Sequence, residues 1–180
     1  MDQRDVASMN RNMEFLVQIM MKMNLNQREV SERTGYSQQL ISYWLKKDNC
    51  KYSTIVDLFE RMNLKIECSY AMTVERNDEY EVEFNDMLSL ADGKRNQMMD
   101  KYLSENRPLR FLALLIKSTN LTLKRFCEEY DLDYTHIYHS LSNDCIKVEQ
   151  IYDIARKTNT KVKWKLSSLD YENFISSLKR

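Results

Sequence analysis

One stretch of this chain is written twice. Residues 15–70 lie over residues 111–166 without a gap at a shift of 96, and thirteen of the 56 aligned positions are identical. Chance would give about three or four identities in an alignment of this length. Phe15/Phe111, Asn24/Asn120, Leu25/Leu121, Glu32/Glu128, Ile41/Ile137, Leu45/Leu141, Ile55/Ile151 and Asp57/Asp153 are among the identical pairs, and the apolar positions match more widely. The chain is read as a duplication, so whatever one copy folds into constrains the other.

With two glycines and one proline, few positive-φ turns or rigid breaks are available, which favours helices. Helical spacing at Phe15, Ile19 and Met23 predicts a first helix over about 11–23, matched by 108–118, where Pro108 suits a first helical turn. Asn26 and Thr122 are good N-caps for a short second helix, and Glu29 completes the pattern of a capping box. A third helix begins at Ser37 or Asp133, and a fourth lies near 53–62 or 148–158. Ile66, Cys68, Tyr70 and Met72, like Val162, Trp164 and Leu166, alternate with polar residues, so each copy ends in a strand. A lone strand leaves its backbone groups unsatisfied. The two are therefore expected to pair antiparallel with each other, with these side chains over a common core, the alternative being that each pairs with its counterpart in another subunit.

Residues 73–106 are too long for a structureless connection. Tyr80, Val82 and Phe84 alternate with glutamates behind the turn formers Asn77 and Asp78, which predicts a hairpin onto 64–74. A helix around 94–105, with Met98 and Tyr102, leads into copy two. The expected division is 1–72, 73–106 and 107–180, the last including a tail helix with Tyr171, Phe174 and Leu178. The net charge is zero, but these segments hold 10 basic and 9 acidic groups, 4 and 9, and 13 and 9 respectively. A neutral total argues against coating polyanions nonspecifically and permits a local basic face.

Residues 27–46 ask for two helices crossing steeply through a tight turn. Such a pair needs a small residue at the crossing and one tolerant of positive φ in the turn. Ser31 and Cys127 supply the first at matching positions; Gly35 and Asp131 supply the second. Val30, Ile41 and Trp44 provide apolar contacts to lock the pair. With Leu25, Gln27, Val30, Ser31, Gly35, Ser37, Ile41 and Leu45, followed by Ile55, Leu58 and Leu64, the chain resembles the Cro-like phage-repressor (XRE) helix-turn-helix family. The match is specific in copy one and degenerate in copy two. The resemblance implies a mainly α fold of two tandem five-helix repressor-like helix-turn-helix domains joined by a small antiparallel β element. It further implies a regulator of bacterial, phage or mobile-element origin that binds double-stranded DNA, as a pseudo-dimer within one chain or as a homodimer.

On that resemblance, the helix at 37–45 enters the major groove by its N-terminal end. Gln38 and Gln39 are then base readers, because a glutamine amide offers an acceptor and a donor that fit adenine bidentately. Ser42, one turn on, is a third, and Ser37 opens the helix. Gln27 starts the preceding helix, where N–H groups can hold a phosphate, and Tyr43, Lys46 and Lys47 reach the backbone beyond. In copy two the candidates are Lys124, Arg125, Tyr134, Thr135, Tyr138 and His139. There Leu123 replaces Gln27, and Glu128, Glu129, Asp131 and Asp133 add negative charge, so a second DNA face and a partner-binding module both remain open.

Other chemistry finds little support. His136 and His139 stand at i, i+3, but no further ligand spacing completes a metal site. No phosphate loop, nucleophile elbow or carboxylate pair marks an enzyme, and no cofactor is expected. The four cysteines show neither CxxC nor zinc spacing, which predicts reduced thiols in a cytoplasm. No apolar run approaches the roughly 20 residues of a membrane span. The rival function is an antitoxin-like or anti-repressor-like interaction module; Tyr134, Tyr138 and the neutral charge speak for it, while Ser37-Gln38-Gln39 speaks for DNA.

Overall fold

The computed structural model of the chain describes residues 12–76, 78–83, 97–105 and 107–168. Asn77, Phe84 and the tail with Tyr171, Phe174 and Leu178 lie outside the described residues. The described chain is mainly helical, with α1 (Glu14–Lys22), α2 (Gln27–Thr34), α3 (Gln38–Lys47), α4 (Tyr52–Arg61), β1 (Leu64–Arg76) and β2 (Asp78–Glu83) first. Then come α5 (Gln97–Ser104), α6 (Arg110–Ser118), α7 (Leu123–Glu129), α8 (Tyr134–Asn143), α9 (Val148–Lys157) and β3 (Lys161–Ser168). Each copy thus contributes four helices and a strand among the described residues, one helix fewer than the resemblance implies. Pro108 does not open a helix; it sits in the turn ahead of α6.

The repeat in sequence is a repeat in backbone. Helices α1, α3 and α4 begin and end 96 residues before α6, α8 and α9. Among the described residues, those with positive φ fall into four pairs at the same shift: Asn24/Asn120, Gly35/Asp131, Asp48/Asp144 and Asn63/Asn159. These are points where a helix has ended and the chain must turn left-handed. Asn, Asp and Gly bear that conformation at least cost. Of the same pairs, Asp48 and Asp144 also hold the first helix of each copy. Asp48 accepts hydrogen bonds from the N–H groups of Asn12 (2.8 Å) and Met13 (2.9 Å), orphan donors at the start of α1. Asp144 instead takes the Arg107 guanidinium at 2.7 Å and the Tyr102 hydroxyl, and Tyr102 in turn accepts from Leu109 N–H at 3.3 Å.

β1 is the central strand of an antiparallel sheet ordered β2-β1-β3. Its first part, from Leu64 to Ala71, pairs with β3; its second, from Ala71 to Arg76, turns back on β2 as a hairpin. In the first ladder Ile66 faces Leu166, Cys68 faces Trp164 and Tyr70 faces Val162. Cys68 and Trp164 are repeat-equivalent residues, so the ladder is centred on a local two-fold axis relating the copies. A second crossing lies on the same axis. Lys51 bridges its equivalent Lys147, with Tyr52 N–H donating to Ile146 O and Val148 N–H to Cys50 O, each at 2.9 Å.

About this axis the two copies exchange core residues. Tyr52 opens α4 of copy one but is buried in the copy-two cluster, against Phe111. Its equivalent Val148 opens α9 and is buried in the copy-one cluster. Tyr70 of β1 is buried against copy two, its hydroxyl donating to Ile151 O at 3.1 Å. Trp164 of β3 crosses the other way and stacks on Phe15 at 4.0 Å between centroids. The expected inward alternation holds for Ile66, Cys68 and Tyr70, which are buried. It fails at Leu166, which is 36% exposed. The Trp164 indole lies flat on Phe15.

Candidate nucleic-acid interface

The turn between α2 and α3 is fixed from several sides. Asn26 caps α2 with a full capping box: it accepts from Arg28 and Glu29 N–H at 3.0 Å, while Glu29 takes Asn26 N–H at 2.7 Å. Gly35 then adopts φ +74° and returns its N–H to Ser31 O at 2.9 Å. Arg61 reaches from α4 to Thr34 O at 3.0 Å and lies over the Tyr36 ring. Tyr36 packs edge-on to Trp44 and donates to Asp57 at 2.5 Å. That bond, then Arg61, holds the Asp57 carboxyl below the usual carboxylate range, against an opposing desolvation effect. Ser37 caps α3, its Oγ accepting from Leu40 N–H at 3.2 Å.

With Ile41 and Trp44 buried on one side, helical geometry turns Gln38, Gln39, Ser42, Tyr43, Lys46 and Lys47 outward. Five of them, all but Lys47, border one shallow depression. Among the described residues neither Gln38 nor Gln39 has a side-chain hydrogen-bond partner. Ser42, expected as a third base reader, is exposed and already makes one side-chain bond. Its hydroxyl donates to Gln27 Oε1 at 2.7 Å, which ties the start of α2 to the middle of α3. That bond uses the Gln27 amide oxygen and leaves its NH2 donors unengaged by Ser42.

The copy-two counterpart shares the backbone and little of the surface. Asp131 takes the left-handed turn at φ 50°, and Asp133 caps α8 by accepting from His136 N–H at 2.7 Å. Leu123, in the place of Gln27, is buried, so no side-chain amide stands at the start of α7. Tyr134, Thr135, Tyr138 and His139 are exposed along α8. Tyr134 and Tyr138 stack with ring centroids 5.9 Å apart, and His139 meets Tyr138 edge-on. Lys124 and Arg125 are exposed on α7, with Lys124 4.0 Å from Glu128. His136 pairs with Gln150 rather than with His139.

Lys51 and Lys147 escaped the sequence reading. Both are exposed and sit on the local axis, between the ends of α3 and α8 and the helices that follow. Their signal was their identity at the repeat shift, which periodicity does not weigh.

Among the described residues no cluster of three His, Cys, Asp or Glu could hold a metal ion. The cysteines are free, and burial pushes the Cys50 thiol up to about 12 and the Cys127 thiol to about 11. Thiols held protonated in this way make poor nucleophiles. No described helix is long and apolar enough to cross a membrane. Comparison with protein-family models, with curated proteins and with solved structures finds no match in any of the three.

Proposed function

We propose that the chain is a sequence-specific double-stranded DNA-binding regulator. Each repeat is read as a helix-turn-helix domain of the Cro-like repressor kind, and α3 as the helix that enters the major groove. The observation that carries this reading is the amino end of α3: two adjacent, exposed glutamines without side-chain hydrogen-bond partners among the described residues, on a helix fixed by Ser37, Gly35 and the Gln27–Ser42 bond. Side chains held on a rigid element with free amide edges suit base readout, while Lys46 and Lys47 supply phosphate neutralisation further along the helix. The local two-fold axis relates the two copies as halves of a pseudo-dimer, of which copy one carries the glutamine face.

A binding assay against pooled random duplex DNA at several salt concentrations tests this. Selection should enrich one sequence, and log Kd should rise linearly with log salt. Lys46→Ala with Lys47→Ala should flatten that line by about two counterions, whereas Lys124→Ala with Arg125→Ala should change it less. Absence of both enrichment and salt dependence would remove the reading.

A further inference from the structure

The two faces built on α2–α3 and α7–α8 have diverged in charge over one backbone. Residues 27–47 carry four basic and two acidic side chains, and residues 123–143 carry two basic and four acidic ones. The change from +2 to −2 is concentrated where a phosphate backbone would lie on copy one. Lys46 and Lys47 correspond to Ser142 and Asn143, Arg33 to Glu129 and Ser37 to Asp133. Phosphate neutralisation supplies most nonspecific DNA affinity, so this exchange works against a nucleic-acid partner. In the same exchange Gln38 and Ser42 correspond to Tyr134 and Tyr138. These tyrosines stack on each other and remain 44% and 39% exposed, a large aromatic surface to leave in water. Beside them runs an open groove of about 510 Å³, lined by Lys124, Cys127, Glu128, Asp131, Leu132 and Tyr134.

We propose that this face docks a basic protein segment, one that lays arginine or lysine side chains across Tyr134 and Tyr138 and sets their charges against Glu128, Glu129 and Asp131. The chemistry is complementary on both counts. A guanidinium stacks on a tyrosine face while its stem covers apolar surface, and a carboxylate rim accepts its N–H groups. The cations already present do not fill the rim. Lys124 lies 4.0 Å from Glu128, an exposed pair of the kind worth little and readily exchanged, while Lys157 lies 3.5 Å from the Asp131 carboxylate and also donates to Asp131 O. Arg125 and His136 stand nearby, and Glu129 has no ion-pair partner among the described residues. The inference does not require α3 to bind DNA.

The test follows backbone amide signals of the full-length, isotope-labelled chain on titration with an octa-arginine peptide and, separately, with random duplex DNA. The peptide should shift Glu128, Glu129, Tyr134 and Tyr138 saturably. Tyr134→Ala with Tyr138→Ala should weaken binding roughly tenfold, as loss of two exposed cation–π contacts would. Glu128→Lys with Glu129→Lys, at exposed positions outside the core, should abolish it; Gln38→Ala with Gln39→Ala should leave it unchanged. Three results overturn the proposal: shifts centred on other acidic residues, unchanged affinity in both copy-two variants, or duplex DNA moving the α8 signals as strongly as those of α3. Silence of α3 toward DNA would count against the function proposed above and leave this inference standing.

Discussion

Copy one and copy two share every left-handed turn among the described residues, yet where one presents Gln38, Gln39 and Lys46 the other presents Tyr134, Thr135 and Ser142. The positions that end helices keep residues tolerant of positive φ, Asp48 and Asp144 both anchor a first helix, and some core positions are identical, such as Leu16/Leu112, Ile41/Ile137 and Ile55/Ile151. The positions changed are those that face outward from α3 and α8. Backbone geometry and surface chemistry have therefore been under separate control. Shared architecture is no evidence that the two faces bind the same thing.

The largest effect should come from the residues that make the copies one folding unit. Tyr70 is buried against the opposite copy and bonded to Ile151 O, so Tyr70→Ala should cost about 3–5 kcal/mol. More telling is how the loss is distributed. Because Tyr52, Val148 and Trp164 also cross between the cores, denaturant unfolding should remain a single transition, coincident by helix content and by fluorescence of Trp44 and Trp164. Two separate transitions would show that the crossed contacts do not couple the copies.

The next effect separates the faces. Gln38→Ala or Gln39→Ala should lose about 1–3 kcal/mol of discrimination at one base pair, with nonspecific binding barely changed. Tyr134→Ala or Thr135→Ala, at the equivalent positions, should leave that discrimination intact. Competition assays with single-base variants of the selected site read both. If the copy-two changes cost as much, the comparison between the faces collapses.

A smaller effect tests the turn. Gly35 lies at φ +74°, and a Cβ added there would meet only Arg61 Nη1 at 3.7 Å, an ordinary contact. Gly35→Ala should therefore cost about 1–2 kcal/mol from backbone strain alone. Asp131 already bears the same conformation with a side chain, and its carboxylate lies 3.5 Å from Lys157. Asp131→Gly should accordingly change stability by no more than about 0.5 kcal/mol. Thermal denaturation of the two variants would show whether one turn has adapted to a side chain and the other has not.

How far this was readable from sequence depends on the kind of signal. The repeat placed the helices, the N-caps Asn26 and Thr122, the helix starts at Ser37 and Asp133 (each one residue early, since both cap the helix) and the turn residues Gly35 and Asp131, because each is a local choice with a local cause. The period-two stretches marked the strands and made their antiparallel pairing the simplest solution. What could not be read was which core an apolar side chain would join. Tyr52 and Val148 follow the same helical pattern as their neighbours, and nothing local says that they cross the axis. Leu166 is a similar case: alternation assigns it to the buried face, yet it is 36% exposed. At the candidate site, exposure of the glutamines followed from the positions of Ile41 and Trp44. The Ser42–Gln27 bond did not, since it joins two helices whose crossing had first to be known.

The smallest effect lies in a residue that both copies keep. Asp57 and Asp153 are identical at the repeat shift, but Tyr36, which donates to Asp57, corresponds to Leu132. Asp153 is left with Arg156 at 3.1 Å, whereas Asp57 has the phenol at 2.5 Å and Arg61 at 2.7 Å. The tyrosine bond is the first cause lowering the Asp57 carboxyl below its ordinary range, with Arg61 adding to it. A carboxyl held lower in the folded state than in the unfolded one contributes stability above its unfolded value, and that contribution drains away as pH falls toward its folded value. Mild acid should thus loosen the Tyr36–Asp57–Arg61 group that holds the turn ahead of α3. Asp57→Asn should remove this part of the acid dependence of unfolding, and Tyr36→Phe should remove most of it while leaving the ring on Trp44. Asp153→Asn serves as the control without a phenol partner. Equal changes in the acid limb from Asp57→Asn and Asp153→Asn would mean that the tyrosine contributes nothing and that the two copies are alike here too.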